Sequence, residues 1–572
     1  MKWVAPVVLL LAAVLAGGVV SHFISREPLA PEPPLDLAST SVQSTVFSHA
    51  TGSTSAPAFV PATGVGRSAF GGGSTSAPPM SAQARRIERA GKSPDAIPGE
   101  YVLRFYNRQD RQAFIDLARA RGIEVLDTLD VGNSVRIRAR SADELAALLR
   151  DGPTPLEFAA NHRVRVPVPL PSTPESPDPG GYVGFGGKAL SWIGGGSADR
   201  STWGKGVTIA VLDTGLAKNA GLAEQNIVRL DLTGGEGGTG KAQDHGLAVS
   251  SLILGRLPDV AGLAPAANLL AIQVMSGDGE GDSFTVARGI VEAANRGAKV
   301  INVCLGTRGD DPILSAAVEY ARQQGAVVVA AAGNDAVEGV SYPARYAGVV
   351  AVAAVDATGR HLYFSNRGPE VDLAAPGIAV RAAGTDAQSL LISGTSASVP
   401  FVSGAVAALL SMDSSMTANA AMQVIEANAD GLGAAGQDQE LGYGILDLDR
   451  VLSRNTPGIY DAAVALPRVE AASGGDMLVT VYAQNRGTEN LSMLRLTVVA
   501  NGRITARDFQ NVTVGDTRNV TFRLPAADVT QPTGVDVLAF VETPGVQLSR
   551  VGHQSVHTVI RSTASTSSNS TP

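Results

Sequence analysis

The sequence predicts an α/β protein whose central domain is a doubly wound parallel sheet, with a small α+β module before it and a small all-β sandwich after it. In the central region, apolar runs alternate with helical patterns, which is typical of strands buried on both faces and connected by helices. The apolar runs are Val207–Leu212, Leu269–Val274, Val300–Leu305, Ala326–Ala332 and Val349–Val355, and the helical patterns are Leu247–Leu254, Phe284–Asn295 and Ile313–Gln324. This domain is assigned to residues 196–455.

Length and composition restrict the possible functions. The chain has 572 residues, 44% of them hydrophobic and 17% charged, so it can form more than one sizeable core. The formal net charge of −8 gives no general attraction to nucleic acid, and no nucleic-acid partner is expected. Cys304 is the one cysteine, which excludes an intrachain disulfide framework and a cysteine-based zinc cluster.

Residues 1–26 are predicted to be a signal peptide or an N-terminal anchor. Lys2 precedes the apolar run Trp3–Val20, and small residues follow, as in a secretory signal. The run is long for a cleaved signal and short for a membrane span of about 20 residues. We expect an exported protein, secreted or in the cell envelope, and favour cleavage over a membrane tether through this segment.

Three segments have compositions that disfavour a packed core. Residues 27–96 are rich in Pro, Ser and Gly and are predicted to be a disordered linker. Residues 168–195 are interpreted as an exposed connector that contains a processing site. Residues 562–572 are a Ser/Thr-rich tail, predicted to be disordered.

The flanking domains show different periodicities. In residues 97–167, two helical patterns alternate with four strand patterns in the order β-α-β-β-α-β, which predicts a ferredoxin-like module. Residues 456–561 contain short alternating runs separated by turn signals such as Asn501-Gly502, which predicts a β-sandwich. Those runs are Met477–Tyr482, Leu494–Val499, Val520–Leu524 and Val535–Val541.

Four polar residues of the central domain lie where a parallel sheet places its functional groups. Asp213 directly follows a buried strand, Asn334 follows another, and His245 and Ser396 each precede an apolar helix. Each alone is an ordinary turn or cap residue. Together they supply the nucleophile, base, orienting carboxylate and oxyanion donor that acyl transfer needs.

The motifs around these four residues resemble those of subtilisin-type serine peptidases over residues 190–452. The matching segments are Val207–Gly215, Asp244-His245-Gly246, Ala331-Ala332-Gly333-Asn334 and Gly394-Thr395-Ser396 with Pro400. The resemblance implies a subtilisin-like fold and a serine endopeptidase that forms an acyl-enzyme. Residues 97–167 resemble the inhibitory pro-domain of the same family, which implies a zymogen that cuts itself within the connector.

The resemblance also assigns roles. Ser396 would attack the peptide carbonyl, His245 would transfer the proton, Asp213 would orient His245, and Asn334 would hold the oxyanion. Three neighbours, at Leu247, Ala397 and Phe401, depart from the usual motifs without removing a reacting group. They motivate the alternative hypothesis of a catalytically silent binding or scaffold protein.

The resemblance implies that two segments pair with an extended substrate: Gly279-Glu280-Gly281 and Cys304-Leu305-Gly306. Cys304 is interpreted as a small buried residue, with a reactive thiol near the cleft as the alternative. Ser283 falls where relatives often have an aromatic subsite wall, and Ser341 where a glycine often lines the primary pocket. These serines predict limited selectivity, for modest apolar side chains.

Substrates are thus expected to be proteins or peptides, with the protein's own pro-domain as a further partner. No cofactor is required for the implied chemistry. Asp278, Glu280 and Asp282 alternate in a Gly-rich loop, a pattern that suits either structural calcium or a charged loop lining the cleft. The second interpretation is favoured.

Overall fold

The computed structural model describes residues 82–167 and 181–560, apart from 197, 218, 220, 223, 235–242, 258, 386–388, 432–436, 532 and 550–553. The predicted signal or anchor, the linker as far as residue 81, residues 168–180 of the connector and the C-terminal tail lie outside the described residues.

The first module, residues 82–165, contains three helices and four antiparallel strands. Its elements are α1 (Ala82–Gly91), β1 (Ala96–Arg104), α2 (Arg108–Ala120), β2 (Glu124–Leu129), β3 (Ser134–Arg138), α3 (Ala142–Asp151) and β4 (Glu157–Arg165). The strands lie in the order β4-β1-β3-β2. The side chains of Asn107 and Ser141 cap the first turns of α2 and α3.

Helix α1 corrects the predicted extent of the linker. Residues 27–96 were expected to be disordered, which is wrong for residues 82–91. Ala84 and Ile87 are fully buried in the core of the first module. Two apolar residues at helical spacing are enough to bury one face of this helix, although charged residues surround them in the sequence.

The central domain has the predicted α/β architecture with a parallel sheet. Its elements are α4 (Ala189–Trp192), β5 (Thr208–Asp213), β6 (Ile227–Asp231), α5 (Gln243–Leu254), β7 (Arg256–Leu257), β8 (Val260–Ala261), β9 (Asn268–Gln273), β10 (Glu280–Asp282), α6 (Ser283–Asn295), β11 (Val300–Val303), α7 (Pro312–Gln323), β12 (Val327–Ala331), β13 (Val349–Val355), β14 (Val371–Pro376), β15 (Val380–Ala383), β16 (Ser389–Ile392), α8 (Thr395–Met412), α9 (Ala418–Ala427) and α10 (Leu448–Ser453). Seven parallel strands lie in the order β14-β13-β12-β11-β5-β9-β6.

Both faces of this sheet are buried, which explains the continuous apolar runs. In β5, Ile209 and Val211 belong to one core cluster while Ala210 and Leu212 belong to the other. Helix α8 lies inside the first cluster, and its residues 395–410 are all buried. Of the described helices, α8 alone has the length and hydropathy of a membrane span, and 89% of that stretch is buried inside the protein.

The connector prediction requires a second correction. Residues 168–195 were expected to be exposed, which is wrong for four apolar residues between 185 and 193. Phe185 and Ile193 are almost completely buried in the core of the central domain, together with Ala189 and Leu190 of α4. The surrounding glycines obscured an apolar helical turn that tertiary contacts stabilise.

The last domain consists of two antiparallel sheets that share one apolar core. Its elements are β17 (Ala462–Val464), β18 (Arg468–Ala471), β19 (Met477–Asn485), β20 (Leu491–Ala500), β21 (Arg503–Val512), β22 (Thr517–Leu524), α11 (Ala526–Val529), β23 (Val535–Glu542) and β24 (Ser555–Ile560). Strands β17, β18 and β22 pair with β19, and the second sheet has the order β21-β20-β23-β24. The sequence analysis did not predict strand β21, because this edge strand is largely exposed and has no alternating apolar face.

Candidate active site

The parallel register aligns the strand ends that carry the predicted site. Val303 of β11 pairs with Leu212 of β5 on one side and with Ala330 of β12 on the other. The residues that follow these three strands therefore meet at one edge of the sheet, where Asp213 and Asn334 lie.

Asp213 and His245 form a hydrogen-bonded pair at this edge. His245 Nδ1 lies 2.8 Å from Asp213 Oδ1 and 3.0 Å from Oδ2. The Asp213 carboxylate is buried and also accepts from the backbone N–H (2.7 Å) and hydroxyl (3.1 Å) of Thr214. Because Nδ1 donates to the carboxylate, Nε2 is the nitrogen with a free lone pair. The imidazole is thus oriented to accept a proton at Nε2.

Two glycines let the segments carrying these residues approach each other. A Cβ on Gly246 would lie 2.0 Å from the carbonyl oxygen of Gly215, closer than any side chain permits. The Gly246 N–H also donates to the hydroxyl of Thr214 (3.3 Å). The start of α5 therefore packs directly on the turn after β5, and this contact positions His245 over Asp213.

Ser396 lies in the first turn of α8 and is 3% exposed. Its hydroxyl donates to the backbone carbonyl of Cys304 at 3.4 Å. Its position in the first turn places it at the positive end of the helix dipole. Negative charge that develops beside this residue is stabilised by that dipole.

The Cys304 thiol faces the interior rather than the cleft. It accepts from Asn302 Nδ2 (3.1 Å) and donates to the backbone carbonyl of Ser396 (3.4 Å). Burial raises the pKa of this thiol well above its ordinary value, and the nearby Asp213 charge adds to the effect. The geometry favours the small buried residue over the reactive thiol.

The two ends of the Asn334 side-chain amide have different partners: the oxygen Oδ1 binds Thr395, and the nitrogen Nδ2 binds Pro167. Its Oδ1 accepts from the backbone N–H and from the hydroxyl of Thr395, both at 3.0 Å. Its Nδ2 donates to the carbonyl oxygen of Pro167 at 2.7 Å. A backbone carbonyl two residues beyond β4 therefore contacts the side chain that the sequence predicts to hold the oxyanion.

The chain leading to Pro167 lies between the two predicted substrate-binding segments. On one side β4 pairs with β10 in antiparallel fashion, with Arg165 opposite Glu280 and Val164 opposite Gly281. On the other side Arg165 and Gly306 exchange both backbone hydrogen bonds, at 3.0 and 2.9 Å. Of the remaining predicted residues, Gly279 lies beside Val166 and Leu305 is buried in the core.

The three loop carboxylates do not converge on a metal site. Glu280 pairs with Arg165 (3.3 Å), and Asp282 caps α6 and pairs with Arg136 (3.2 Å). Asp278 accepts from the hydroxyl of Ser276. Within the described part of the chain, no group of three or more His, Cys, Asp or Glu side chains is arranged to hold a metal ion. These carboxylates do not fit a calcium site.

A buried polar cluster joins the first module to the central domain, and sequence reasoning missed it. The Ser283 hydroxyl contacts Asn161 Oδ1 (2.9 Å) and the Asp311 carboxylate, and it accepts from the backbone N–H of His162 (3.0 Å). Asn161 Nδ2 donates to Glu100 at 2.9 Å. The two adjacent polar residues Asn161 and His162, in a strand that is otherwise half apolar, were the feature of the sequence that could have indicated this cluster. Ser283, expected near a distal subsite, instead binds this module.

The fold and the site together define a serine peptidase built on a parallel α/β sheet. A model of the subtilase family matches residues 204–444. The matched region is 36% identical to subtilisin BL of Lederbergia lenta over 211 residues, 36% of this chain and 78% of that protein. It is 35% identical to thermitase of Thermoactinomyces vulgaris over 237 residues, 41% and 84% of the two chains.

The chain belongs to the subtilase family of serine endopeptidases, whose members need no cofactor for catalysis. It is also 38% identical to a thermostable alkaline protease of Halalkalibacterium halodurans over 238 residues, 41% of this chain but only 65% of that protein. Among solved structures, the epidermin leader peptide processing serine protease of Staphylococcus aureus shares the fold. Its TM-score is 0.51 at 20% identity, covering 63% of this chain and 99% of that one.

Proposed function

We propose that this chain is an exported serine endopeptidase, made as a zymogen, that hydrolyses peptide bonds with Ser396, His245 and Asp213. One observation carries the proposal: the Pro167 carbonyl lies on the Asn334 amide, at the sheet edge where the Asp213–His245 pair also lies. A carbonyl oxygen that accepts from a side-chain amide beside such a pair supports a role for Asn334 as oxyanion donor.

The geometry supports a division of roles among four residues. The Ser396 hydroxyl attacks the carbonyl carbon and its proton passes to His245 Nε2, while Asp213 stabilises the resulting imidazolium. The Asn334 amide and the Ser396 backbone N–H donate to the oxyanion, and one such donor contributes about 3–4 kcal/mol to lowering the barrier. His245 then protonates the leaving amine, and water hydrolyses the acyl-enzyme by the same proton route.

The first module is proposed to be the inhibitory pro-domain, with its N-terminal boundary moved to residue 82. Its C-terminal strand fills the cleft, and ion pairs join it to the central domain. These pairs are Arg136–Asp282 (3.2 Å), Arg288–Asp127 (2.6 Å) and Arg308–Asp95 (3.4 Å). Substrate cannot enter while this segment is in place, so the intact chain is expected to be inactive toward other proteins.

The peptidase domain is proposed to extend from residue 181 to 455, because Phe185 and Ile193 belong to its core. The β-domain, residues 456–561, is proposed to stabilise it. Asp430 of the peptidase domain pairs with Arg486 of the β-domain at 2.9 Å, and both side chains are about 5% exposed. Breaking a buried pair on one side typically costs about 3–5 kcal/mol. Export is proposed from the N-terminal apolar segment.

The departures that motivated a silent scaffold are core residues. Leu247, Ala397 and Phe401 are each at most 1% exposed and belong to one apolar cluster of the central domain. They fill space near the site without displacing Asp213, His245 or Ser396. The structure therefore favours the active peptidase over the scaffold hypothesis.

The test combines intact mass over time with labelling by a fluorophosphonate probe, which reacts only with an activated serine. The wild-type chain should shorten and take up the probe, whereas Ser396→Ala should remain full length and unlabelled. Ser398→Ala removes a hydroxyl two residues further along α8 that bonds Ala375 and Pro376. It is the matched control and should retain both properties. An unlabelled, unprocessed wild type would refute the peptidase proposal.

A further inference from the structure

The helix that contains Ser396 has a proline about one turn after that residue. In an α-helix the carbonyl of residue i accepts from the N–H of residue i+4, which for Ser396 is residue 400. Residue 400 is a proline inside α8, so it has no N–H to donate, and a proline ring crowds the carbonyl four residues before it. The carbonyl of the proposed nucleophile therefore lacks its ordinary helical partner.

The thiol of Cys304 supplies a donor at this carbonyl. Cys304 Sγ donates to the carbonyl oxygen of Ser396 at 3.4 Å, and both residues are buried. A thiol is a weak donor, but a buried carbonyl that is left without a partner is costly. In the opposite direction, the Ser396 hydroxyl donates to the Cys304 carbonyl at 3.4 Å. Each residue thus holds the backbone of the other with its side chain.

Asn302, in β11, sets the direction in which the thiol donates. Its Nδ2 donates to Cys304 Sγ at 3.1 Å, and Asn302 is fully buried. Because the sulfur accepts on this side, its own hydrogen points elsewhere, and the Ser396 carbonyl is the acceptor within reach.

Ser403 in turn sets the orientation of the Asn302 amide. The buried Ser403 hydroxyl donates to Asn302 Oδ1 at 2.9 Å. An amide that accepts at its oxygen presents its NH₂ group on the other side, which here is the side of Cys304. Ser403 lies on α8, about two turns after Ser396. A line of hydrogen bonds therefore leaves α8 at Ser403, crosses β11 and returns to α8 at Ser396, with every donor used in the same sense.

We propose that Cys304 is a positioning residue for the nucleophile. Its thiol, oriented by Asn302 and Ser403, holds the peptide group that follows Ser396 and keeps the first turn of α8 aligned despite Pro400. The inference rests on the proposed function and concerns the placement of Ser396. The thiol acts as a hydrogen-bond donor and forms no covalent bond.

This role requires the hydrogen of the thiol, and two substitutions separate that hydrogen from the volume of the sulfur. Cys304→Ser and Cys304→Ala both remove the sulfur, but only serine retains a donor. In the full chain, Cys304→Ala should slow self-processing about tenfold or more, as expected for the loss of one bond to a buried group. Cys304→Ser should stay within about threefold of the wild-type rate. Thermal unfolding in the Ser396→Ala background should show comparable losses of Tm for both, because both lose the same packing.

A second variant tests the line of hydrogen bonds without altering Cys304. Ser403→Ala should slow self-processing about threefold or more, but it should have no further effect in the Cys304→Ala background, because both changes act through one bond. Ser398→Ala is the matched control on the same helix, since its hydroxyl bonds the carbonyls of Ala375 and Pro376 instead. It should process like wild type.

Labelling of wild type by a fluorophosphonate separates the possible failures. If wild type is labelled but Cys304→Ala processes as fast, or if Cys304→Ser is as slow as Cys304→Ala, the inference is wrong and the proposed peptidase stands. Additive effects of Ser403→Ala and Cys304→Ala would overturn the role of Ser403. If Cys304→Ala does not fold, Ser403→Ala decides, and a wild-type rate in that variant overturns the inference. If wild type is never labelled, the proposed function itself fails.

Discussion

The side-chain amide of Asn334 donates to the carbonyl oxygen of Pro167 at 2.7 Å, across a separation of 167 residues in the chain. The other end of the same amide accepts two bonds from Thr395, next to Ser396. One side chain thus joins the segment that follows β4 to the first turn of α8, which contains Ser396.

Replacing Asn334 should slow self-processing strongly. Asn334→Ala removes the donor that we propose for the oxyanion, and the rate should fall by about 10²–10³-fold. Asn334→Asp retains the oxygen that accepts from Thr395 but loses the N–H donor, so it separates catalysis from local folding. The first-order loss of full-length chain measures the effect. A decrease below about fivefold in both variants would exclude this role.

Removing the buried contact between Asn161 and Ser283 should weaken retention of the proposed pro-domain after the proposed processing. Truncating one partner of a buried, charge-linked hydrogen-bond cluster costs about 2–4 kcal/mol. Affinity should therefore fall about thirtyfold or more in Asn161→Ala and in Ser283→Ala. The fraction of cleaved pro-domain that co-elutes with the peptidase measures this. Gln112→Ala, on the exposed face of α2, is the control and should co-elute like wild type.

The stability of the protein should fall as pH rises through the pKa of Glu426. Burial, with a smaller contribution from the Asp372 charge, raises the pKa of Glu426 to about 7 in the folded state. The folded protein therefore holds the Glu426 proton more tightly than the unfolded chain, whose pKa is about the ordinary 4.5. The contribution of this protonated group to the free energy of unfolding is complete below pH 4.5 and is lost as pH rises through 7. Glu426→Gln should therefore match wild type near pH 4 and exceed it at pH 8.

The side chain of Glu426 is partly solvated, so the gain should be modest, about 2–4 °C in Tm. Thermal unfolding in the Ser396→Ala background avoids self-digestion. Glu319→Gln provides a control of opposite sign, because the bond from Arg322 lowers the pKa of Glu319 to about 2. That variant should gain nothing at pH 8. An equal gain for Glu426→Gln at pH 4 and pH 8 would contradict the prediction.

The Cys304 thiol should be inert in the folded protein. It is fully buried and its pKa is raised, so little thiolate forms at pH 8 and reagents cannot reach it. In guanidinium-unfolded protein, a chromogenic disulfide reagent should react completely with this thiol. In the same time, less than about a tenth of the thiol should react in the native protein. Because this is the one cysteine of the chain, the readout is unambiguous. Rapid reaction of native protein would restore the reactive-thiol hypothesis.

Local patterns predicted the parallel sheet well because buried strands and amphipathic helices leave different periodicities. The helix predicted at Phe284–Asn295 begins one residue earlier in the structure. Patterns failed where burial depends on a distant partner. Ile87 and Ile193 lie in segments with the composition of linkers, yet each is buried against residues far away in the chain.

By itself, the sequence determined the chemistry available to this protein: Asp213, Asn334, His245 and Ser396 occupy strand ends and helix starts, positions defined by local hydrophobic patterns. Only the tertiary structure decided which segment lies beside Asn334. The backbone pairing of Arg165 with Gly306 joins residues more than 100 positions apart in the chain. It leaves no periodic trace in the sequence, because backbone pairing is set by three-dimensional approach rather than by neighbouring residues.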